Sequence, residues 1–433
     1  MYKTIGIRHE DKYVMERRVA IAPEHVEKLV KKGLSFVVES SDKRIFKDEE
    51  FVCAGAKVVR SLKEATVVFG VKEMPSKFFE EGKTYVFFSH VIKGQSYNMP
   101  MLKAMIDKKC NLIDYEKIEN DEGKRLIFFG KFAGLAGAIN SLWSYGQRLK
   151  IQGITNPFEI LKQAHLYSSL MEAKAVVSKI GYEISTKGLP GSLSPMVIGL
   201  TGDGNVSKGA QEILNLLPSI EITAEQLLQM NQKEAPNNII YKVIFRENDL
   251  SIPIDPNTKF DLQHYYSHPE LYVNQFDKYI PNLSVLLNCM YWDSKYPRII
   301  TKDYLEQLYM QGEPKLKVIG DITCDPDGSV ECTHKGTEIE DPVFVYDPVS
   351  RKPSMGFSGN GILIMAVDIL PSELPRESSI SFGDALLPYI TTIAEADFAA
   401  DYEHLKLPIS IKKALILHNG QLTPSFKYIS KYL

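Results

Sequence analysis

The stretch from Met196 to Leu214 constrains the fold of this chain most, because it joins a short apolar run to a glycine turn and then to an amphipathic run. That order predicts a strand, a phosphate-binding loop and a helix. Residues 196–201 are apolar enough to form a strand that is buried on both faces of a parallel sheet. The sequence therefore predicts an α/β fold organised around this strand.

The turn itself has the residues of an anion-binding loop. Gly202 and Gly204 allow a tight turn and bring bare backbone close to a pyrophosphate. A helix that opens near Ser207, after Asn205 and Val206, would point free N–H groups and its positive dipole end at the anion. Ser207 occupies the third glycine position of the G-x-G-x-x-G pattern, so the match is partial and an ordinary glycine turn remains an alternative.

Length and charge limit the kinds of protein that this chain can be. The 433 residues are long for one domain and sufficient for two lobes. The net charge of −3 arises from 51 basic and 54 acidic residues that are interspersed, so no basic face suits nucleic acid. We therefore expect small-molecule partners and no nucleic acid.

The cysteines and the apolar runs indicate the compartment. The five cysteines are odd in number and contain no C-x-x-C pair, which argues against a disulfide framework and against a zinc site. The chain begins with a predicted strand at 2–8 rather than a leader, and it has no apolar run of 18 residues. We expect a cytoplasmic protein with reduced cysteines, no metal and no membrane segment.

Two predicted strands in the first third of the chain end in residues that can transfer protons. The strand at 65–70 leads to Lys72, and the strand at 84–90 ends in His90. Ligands of open α/β sheets bind at the carboxyl edge, so both side chains are candidates for a site. A solvated lysine and a structural histidine are the alternatives when each residue is considered alone.

Charged residues near two other strands extend this candidate site. Arg17 and Arg18 lie between the strand at 2–8 and a helix predicted at 24–32, and guanidinium groups bind carboxylates in a bidentate manner. Two solvated surface arginines are the alternative. A further strand at 112–116 ends in Glu116.

The rest of the chain continues the alternation of strands and helices. A helix after Phe129 carries small residues that permit close packing against another backbone, and we place the first lobe boundary there. The region from 231 to about 301 is polar and irregular, and we interpret 231–283 as an insertion. The other elements that we predict are a helix at 158–180, strands at 284–292, 317–325 (with Asp321 and Asp325 at its edge) and 361–368, and a helical tail at 405–433.

Ordered motifs run along essentially the whole chain. They are Glu16-Arg-Arg18, Gly70-Val-Lys-Glu73, Phe88-Ser-His90, Leu112-Ile-Asp-Tyr-Glu116, Phe129-Gly130 with Ala133-Gly134 and Ala136-Gly137, Thr201-Gly202 with Gly204-Asn-Val-Ser-Lys-Gly-Ala210, Tyr291-Trp292 and Leu370-Pro371. Together they resemble the alanine dehydrogenase and saccharopine dehydrogenase superfamily. Within it they are most similar to the lysine–2-oxoglutarate reductase module of bifunctional aminoadipic semialdehyde synthases.

This resemblance implies an α/β architecture of two Rossmann-like lobes. Residues 1–134 and 375–433 would form a discontinuous substrate lobe, and 135–374 an inserted dinucleotide-binding lobe. The implied roles are acid–base catalysis for Lys72 and His90, and substrate binding for Arg17, Arg18, Glu73 and Glu116. The implied cofactor-binding residues are Gly202, Gly204, Asn205, Val206, Ser207, Asp325, Asp368 and Leu370.

The resemblance also implies a reaction, in which L-lysine condenses with 2-oxoglutarate and the imine is reduced to saccharopine. The reductases of this group use NADPH, so we favour NADP(H) over NAD(H). The strand at 219–223 ends without an arginine for the 2′-phosphate of NADP, although Glu225 follows it and Lys208 is nearby in sequence. The chain stops where the reductase module would end, so a separate saccharopine-oxidising enzyme is an expected partner.

Two alternatives remain open at this stage. One is a related enzyme, either an NAD-dependent lysine-forming saccharopine dehydrogenase or a relative of alanine dehydrogenase. The other is a catalytically silent paralogue that binds a nucleotide or 2-oxoglutarate. The insertion at about 231–283 favours the reductase group.

Overall fold

The computed structural model describes residues 4–433, so residues 2 and 3 of the first predicted strand lie outside the described part. The chain divides into two compact units. Unit 1 is the chain up to Phe129 together with Pro375–Leu433, and unit 2 is Gly130–Leu374. The first passage between the units falls where a long helix begins at Gly130.

The strands, in chain order, are β1 Thr4–Ile7, β2 Ser35–Glu39, β3 Lys57–Val59, β4 Val67–Phe69, β5 Thr84–Phe87, β6 Asn111–Asp114, β7 Met196–Thr201, β8 Ser219–Glu221, β9 Ile240–Phe245, β10 Ser251–Pro253, β11 Tyr272–Asn274, β12 Val285–Asn288, β13 Val318–Asp321, β14 Val343–Asp347, β15 Lys352–Met355, β16 Ile362–Met365, β17 Leu415–His418 and β18 Gln421–Leu422. The α-helices are α1 Pro23–Val30, α2 Asp48–Cys53, α3 Met99–Asp107, α4 Gly130–Ile151, α5 Leu170–Lys187, α6 Asn205–Leu214, α7 Ala224–Gln229, α8 Glu247–Leu250, α9 Leu262–Ser267, α10 Lys302–Met310, α11 Pro375–Glu395 and α12 Ile409–Lys413.

Unit 1 contains one sheet in the order β18-β17-β6-β5-β4-β1-β2-β3. The pairings from β3 to β6 are parallel, so the carboxyl ends of β1, β4, β5 and β6 meet at one edge. Every residue of β4, β5 and β6 is buried, as strands covered on both faces require.

The chain tail differs from its predicted helical form. Strands β17 and β18 form an antiparallel hairpin around Asn419 and Gly420, and β17 pairs antiparallel with β6. Asn419 and Gly420 both have positive φ, +49° and +75°, which a tight hairpin requires. The Asn-Gly pair therefore marks a hairpin rather than a break between helices.

Unit 2 contains the second large sheet, in the order β15-β14-β16-β13-β12-β7-β9-β8. Within this sheet, the neighbouring strands β8, β9, β7, β12, β13 and β16 pair in parallel. Strands β14 and β15 follow at the other edge and pair antiparallel. The α/β class with two Rossmann-like units is therefore confirmed.

One sequence interpretation of unit 2 is wrong. The region 231–283 is not simply an irregular insertion, because it contains β9, which lies beside β7. The strand predicted at 219–223 is present as β8, which lies at the outer edge of the sheet and pairs with β9 rather than with β7. Lys242 breaks the apolar pattern of β9, but it is buried and its Nζ lies 3.1 Å from Glu221.

Helix packing in unit 2 agrees with the small residues that follow Phe129. A Cβ atom on Gly134 of α4 would lie 1.9 Å from the Val206 carbonyl oxygen, and one on Gly209 of α6 would lie 2.1 Å from the Lys131 carbonyl oxygen. The two helix backbones therefore touch, as predicted. The helix expected at 158–180 begins only at Leu170.

Each of the five cysteines is a free thiol. Among residues 4–433, every helix is too short or too polar to traverse a lipid bilayer.

Candidate active site

The carboxyl edge of the unit 1 sheet brings together the residues predicted for catalysis and substrate binding. Lys72 and Glu73 follow β4, His90 follows β5, and Glu116 follows β6. Arg17 and Arg18 lie in the loop between β1 and α1. Because these four strands are neighbours, the six side chains belong to one edge of one sheet.

His90 and Glu73 form a direct pair. His90 Nδ1 lies 2.7 Å from Glu73 Oε1, and Lys12 Nζ lies 2.7 Å from the same oxygen. Burial alone would raise the pKa of Glu73, but the hydrogen bond and charge of His90, reinforced by Lys12, lower that pKa to about 2. Glu73 is therefore a carboxylate, Nδ1–H is the donor, and Nε2 is the imidazole nitrogen available to a substrate.

The backbone of His90 has an unusual conformation for a residue other than glycine. Its φ is +48°, in the left-handed region. Asn98 Nδ2 holds this turn by donating to the carbonyl oxygens of Ser89 at 3.1 Å and His90 at 3.3 Å. Such conformations persist where the surrounding structure fixes them, and they occur often at functional sites.

Lys72 is positioned through its backbone by a buried carboxyl group that sequence reasoning missed. Glu10 accepts hydrogen bonds from the N–H groups of Val71 at 2.7 Å and Lys72 at 2.9 Å. Burial raises the pKa of Glu10 to about 7, with the nearby Glu16 adding to the rise and Arg8 opposing it. Glu10 follows β1, so the strand-end rule that identified Lys72 also applies to it.

Arg18 is buried and already paired within the protein. Its Nε and Nη2 atoms donate to Glu16 at 2.8 and 2.6 Å, and its guanidinium lies 4.2 Å from the centre of the Phe129 ring. Burial raises the pKa of Glu16, but Arg18 outweighs this and the net pKa is lowered. Arg17 is half-buried, and its Nε donates to the Lys43 carbonyl at 3.4 Å.

Glu116 lies apart from the His90–Glu73 pair in its contacts. It lies within a short 3₁₀ turn after β6, and its Oε1 accepts a hydrogen bond from Arg125 Nη2 at 2.6 Å. The structure therefore brings His90 and Glu73 into direct contact, whereas Glu116 is held by a different, exposed arginine.

In unit 2, the loop between β7 and α6 fits a pyrophosphate. Gly202 has φ +79°, which a glycine adopts easily. Gly204 is the N-cap of α6, provides no side-chain cap, and has open space beside its Cα. The first hydrogen bond of α6 runs from the Lys208 N–H to the Gly204 carbonyl. The N–H groups of Asn205, Val206 and Ser207 precede it, and such N-terminal N–H groups can bind an anion.

A buried polar ladder fixes the strand ends beside this loop. Asn288, at the end of β12, accepts from Thr201 Oγ1 at 2.7 Å and donates to Asp321 Oδ1 at 2.8 Å. Burial raises the pKa of Asp321, although hydrogen bonds from Thr333 and other neighbours oppose the rise. Asp321 therefore has a structural role, and Asn288 gave no signal in the sequence.

The remaining predicted cofactor residues follow β13 and β16. Asp325 and Asp368 are exposed, and Leu370 is buried at the start of a 3₁₀ turn. Glu373, at the end of that turn, is buried and accepts from Asn140 Nδ2 at 2.6 Å. Asp325 and Asp368 therefore lie beyond the carboxyl ends of β13 and β16.

A parallel sheet with a glycine loop that leads into an uncapped helix defines a dinucleotide-binding α/β protein, and unit 1 adds a sheet edge with a hydrogen-bonded histidine–carboxylate pair. Residues 6–136 match the N-terminal domain of alanine dehydrogenase/PNT, and residues 273–425 match its C-terminal domain. The chain belongs to the alanine dehydrogenase/PNT family. The family implies the use of NAD or NADP.

Relatives within this family include larger proteins. The chain is 37% identical to alpha-aminoadipic semialdehyde synthase of Arabidopsis thaliana over 99% of its own length and 41% of that protein. It is 35% identical to the mitochondrial enzyme of Rattus norvegicus, over 99% of this chain and 47% of the relative. The chain thus spans less than half the length of these synthases.

More distant relatives have similar lengths. The saccharopine dehydrogenase [NAD(+), L-lysine-forming] of Yarrowia lipolytica is 26% identical over 90% of this chain and 93% of that protein. Among solved structures, an L-alanine dehydrogenase aligns over 99% of both chains with a TM-score of 0.64 and 18% identity, which supports the fold alone.

Proposed function

We propose that this chain is a lysine–2-oxoglutarate reductase, which condenses L-lysine with 2-oxoglutarate and reduces the imine to saccharopine with NADPH. The observation that carries the proposal is the hydrogen-bonded His90–Glu73 pair at the sheet edge that also presents Lys72. The similarity to aminoadipic semialdehyde synthases over 99% of the chain supports the choice of substrates.

The acid–base residues act on the condensation. His90 Nε2 accepts a proton from the lysine ε-nitrogen as the neutral amine attacks the keto carbon, because Glu73 holds the opposite ring nitrogen as a donor. Lys72 delivers a proton to the departing hydroxyl when the carbinolamine loses water. A bound reduced nicotinamide would supply the hydride that reduces the imine.

Glu73 has a second role in binding the amine. Its Oε2 atom is buried and accepts no hydrogen bond from any residue between 4 and 433. An unpaired buried carboxylate oxygen is costly, so a bound ammonium group offers it a natural partner. Arg18 and Arg17 would face the carboxylates of 2-oxoglutarate.

The compartment and partners belong to the same proposal. Five free thiols suit a reducing, cytoplasmic environment. A saccharopine-oxidising activity would consume the product.

Nicotinamide absorbance with different substrate pairs tests the proposal. We expect NADPH oxidation with lysine plus 2-oxoglutarate, and none with lysine plus glutamate or with pyruvate plus ammonia. Oxidation with pyruvate plus ammonia would indicate an alanine dehydrogenase, and binding of NADPH without turnover of any pair would indicate a silent paralogue.

A second candidate is a lysine-forming saccharopine dehydrogenase that uses NAD. The similarity to the Yarrowia lipolytica enzyme, over 90% of this chain and 93% of that protein, favours it. Rates of lysine release from saccharopine with NAD, compared with saccharopine formation with NADPH, distinguish the two.

A further inference from the structure

The strand beside β7 in the unit 2 sheet is β9, although β8 is the next strand in the chain. The residue beside the glycine loop therefore follows β9 and not β8. Strand β9 lies between β8 and β7, and Thr201 pairs with Phe245 in the parallel register. Gly202, the first loop glycine, donates its N–H to the Phe245 carbonyl at 2.8 Å. The residue that follows β9, Arg246, is therefore the first residue beyond the strand that adjoins the loop.

The side chain of Arg246 lies against this loop. Its Nη2 is 3.1 Å from Oδ2 of Asp203, the residue between the two loop glycines, and the side chain is 55% exposed. The backbone N–H of Arg246 donates to Asp249 Oδ2 at 2.9 Å, which anchors the turn. An exposed ion pair contributes little to stability, so the guanidinium can exchange Asp203 for a stronger anion.

A cavity adjoins the guanidinium. It has a volume of about 460 Å³ and is lined by Thr223, Glu225, Arg246 and Asp249, among others. Glu221 also lines it, but Lys242 Nζ lies 3.1 Å from that carboxylate and compensates its charge. Glu225 and Asp249 in the lining, and Asp203 beside the guanidinium, are the carboxylates that would oppose a phosphate.

The residue at this position selects the dinucleotide in parallel-sheet lobes. An acid at the end of the strand beside the glycine strand binds the ribose 2′-OH of NAD, whereas a nearby arginine accommodates the 2′-phosphate of NADP. We propose that Arg246 binds the 2′-phosphate of NADP(H) and makes this chain prefer NADP(H) to NAD(H). The inference rests on the proposed function only in treating unit 2 as the dinucleotide-binding unit.

Equilibrium binding tests this assignment without turnover. Calorimetric titration with 2′,5′-ADP and with 5′-AMP compares ligands that differ by the 2′-phosphate alone. We expect wild-type protein to bind 2′,5′-ADP more tightly. Arg246→Ala should weaken 2′,5′-ADP binding by about 10–100-fold, as loss of a charge-assisted contact predicts, and leave 5′-AMP affinity unchanged.

Two further variants control for general effects. Arg351→Ala removes another exposed, ion-paired arginine from the opposite edge of the same sheet and should change neither affinity. Glu225→Gln should keep the preference for 2′,5′-ADP. Equal affinities in the wild type, equal losses for both probes in Arg246→Ala, or a preference that depends on Glu225 instead would overturn the assignment. Turnover of lysine plus 2-oxoglutarate is measured separately, so failure of the proposed reaction does not alter the binding result.

Discussion

Lys72 and His90 differ in how the fold restrains them. His90 is held through both its ring, by Glu73, and its backbone, by Asn98. Lys72 is held through its backbone N–H by Glu10, while its Nζ lies 5.5 Å from the centre of the Tyr13 ring. The histidine is thus fixed through its ring and its backbone, and the lysine is anchored through its backbone.

Lys72→Met and His90→Asn should each lower kcat by roughly 10²–10⁴-fold, the usual contribution of one acid–base group. Asparagine is chosen at position 90 because it tolerates a φ of +48°. NADPH affinity should stay within about twofold of the wild type, as fluorescence titration would measure. Wild-type kcat in either variant contradicts the catalytic assignment.

The pairing of Arg18 with Glu16 changes how its predicted role must be tested. Arg18→Ala leaves a buried carboxylate without its partner, which costs about 3–5 kcal/mol in such sites. The double variant Glu16→Gln with Arg18→Met removes both charges and should unfold at higher denaturant concentration than Arg18→Ala. It should still raise KM for 2-oxoglutarate more than tenfold, and an unchanged KM would show that Arg18 acts only within the protein.

The raised pKa of Glu10 predicts how folding stability depends on pH. Its pKa is about 7 in the folded chain against an ordinary 4.5, so the folded state binds the proton more tightly. Wild-type stability should therefore fall as pH rises from about 4.5 to about 7, and Glu10→Gln should lack this loss. Denaturant unfolding should show that the free energy of unfolding of the variant, relative to that of the wild type, is greater at pH 7 than at pH 5. Glu81→Gln, at an exposed glutamate, is the control and should show no such gain. If the stabilities of Glu10→Gln and the wild type changed equally between pH 5 and pH 7, that result would contradict the burial argument.

At the scale of elements, contact between α4 and α6 supports the nucleotide loop. Gly134→Ala places a methyl group against the Val206 carbonyl in the first turn of α6. We expect a loss of about 1–3 kcal/mol, with a fall in Tm of roughly 2–4 °C per kcal/mol, and weaker NADPH binding. Gly191→Ala, which adds a methyl group in open space, is the matched control. Equal Tm values for both variants would contradict the close packing.

The sequence was most informative for elements with uninterrupted apolar runs. Strands β4, β5, β7 and β13 and the loop before α6 follow directly from such runs and from glycine. Strand β9 was missed because Lys242 interrupts its pattern, and only the fold supplies the partners, Asn215 and Glu221, that allow its burial. The hairpin at Asn419 was missed because its strands are too short for a clear alternation.

The candidate site was partly predictable for a similar reason. Lys72 and His90 follow readable strands, so their shared edge could be inferred. Their partners could not, because Asn98 lies on a turn with no distinguishing pattern and Lys12 on a loop. The contact between Lys12 and Glu73 depends on tertiary folding.

At the scale of the whole molecule, the order of strands in a sheet decides which residues share a site. In unit 1, β1 and β4 are neighbours although two strands separate them in sequence. In unit 2, β9 displaces β8 from the place beside β7, which moves the expected ribose-facing position from Thr223 to Arg246. The resemblance to known reductases implied two lobes and a chemistry, but only the topology identifies this position.

The central claim is that this chain reduces the imine of lysine and 2-oxoglutarate. Its most direct test is hydride transfer from NADPH deuterated at either transferable position of the nicotinamide, with the products analysed by mass spectrometry and NMR. We predict saccharopine with one deuterium on the carbon that was the keto carbon of 2-oxoglutarate, for one of the two labelled forms. Saccharopine without deuterium from both forms, or NADPH oxidation that does not require lysine, would contradict the claim.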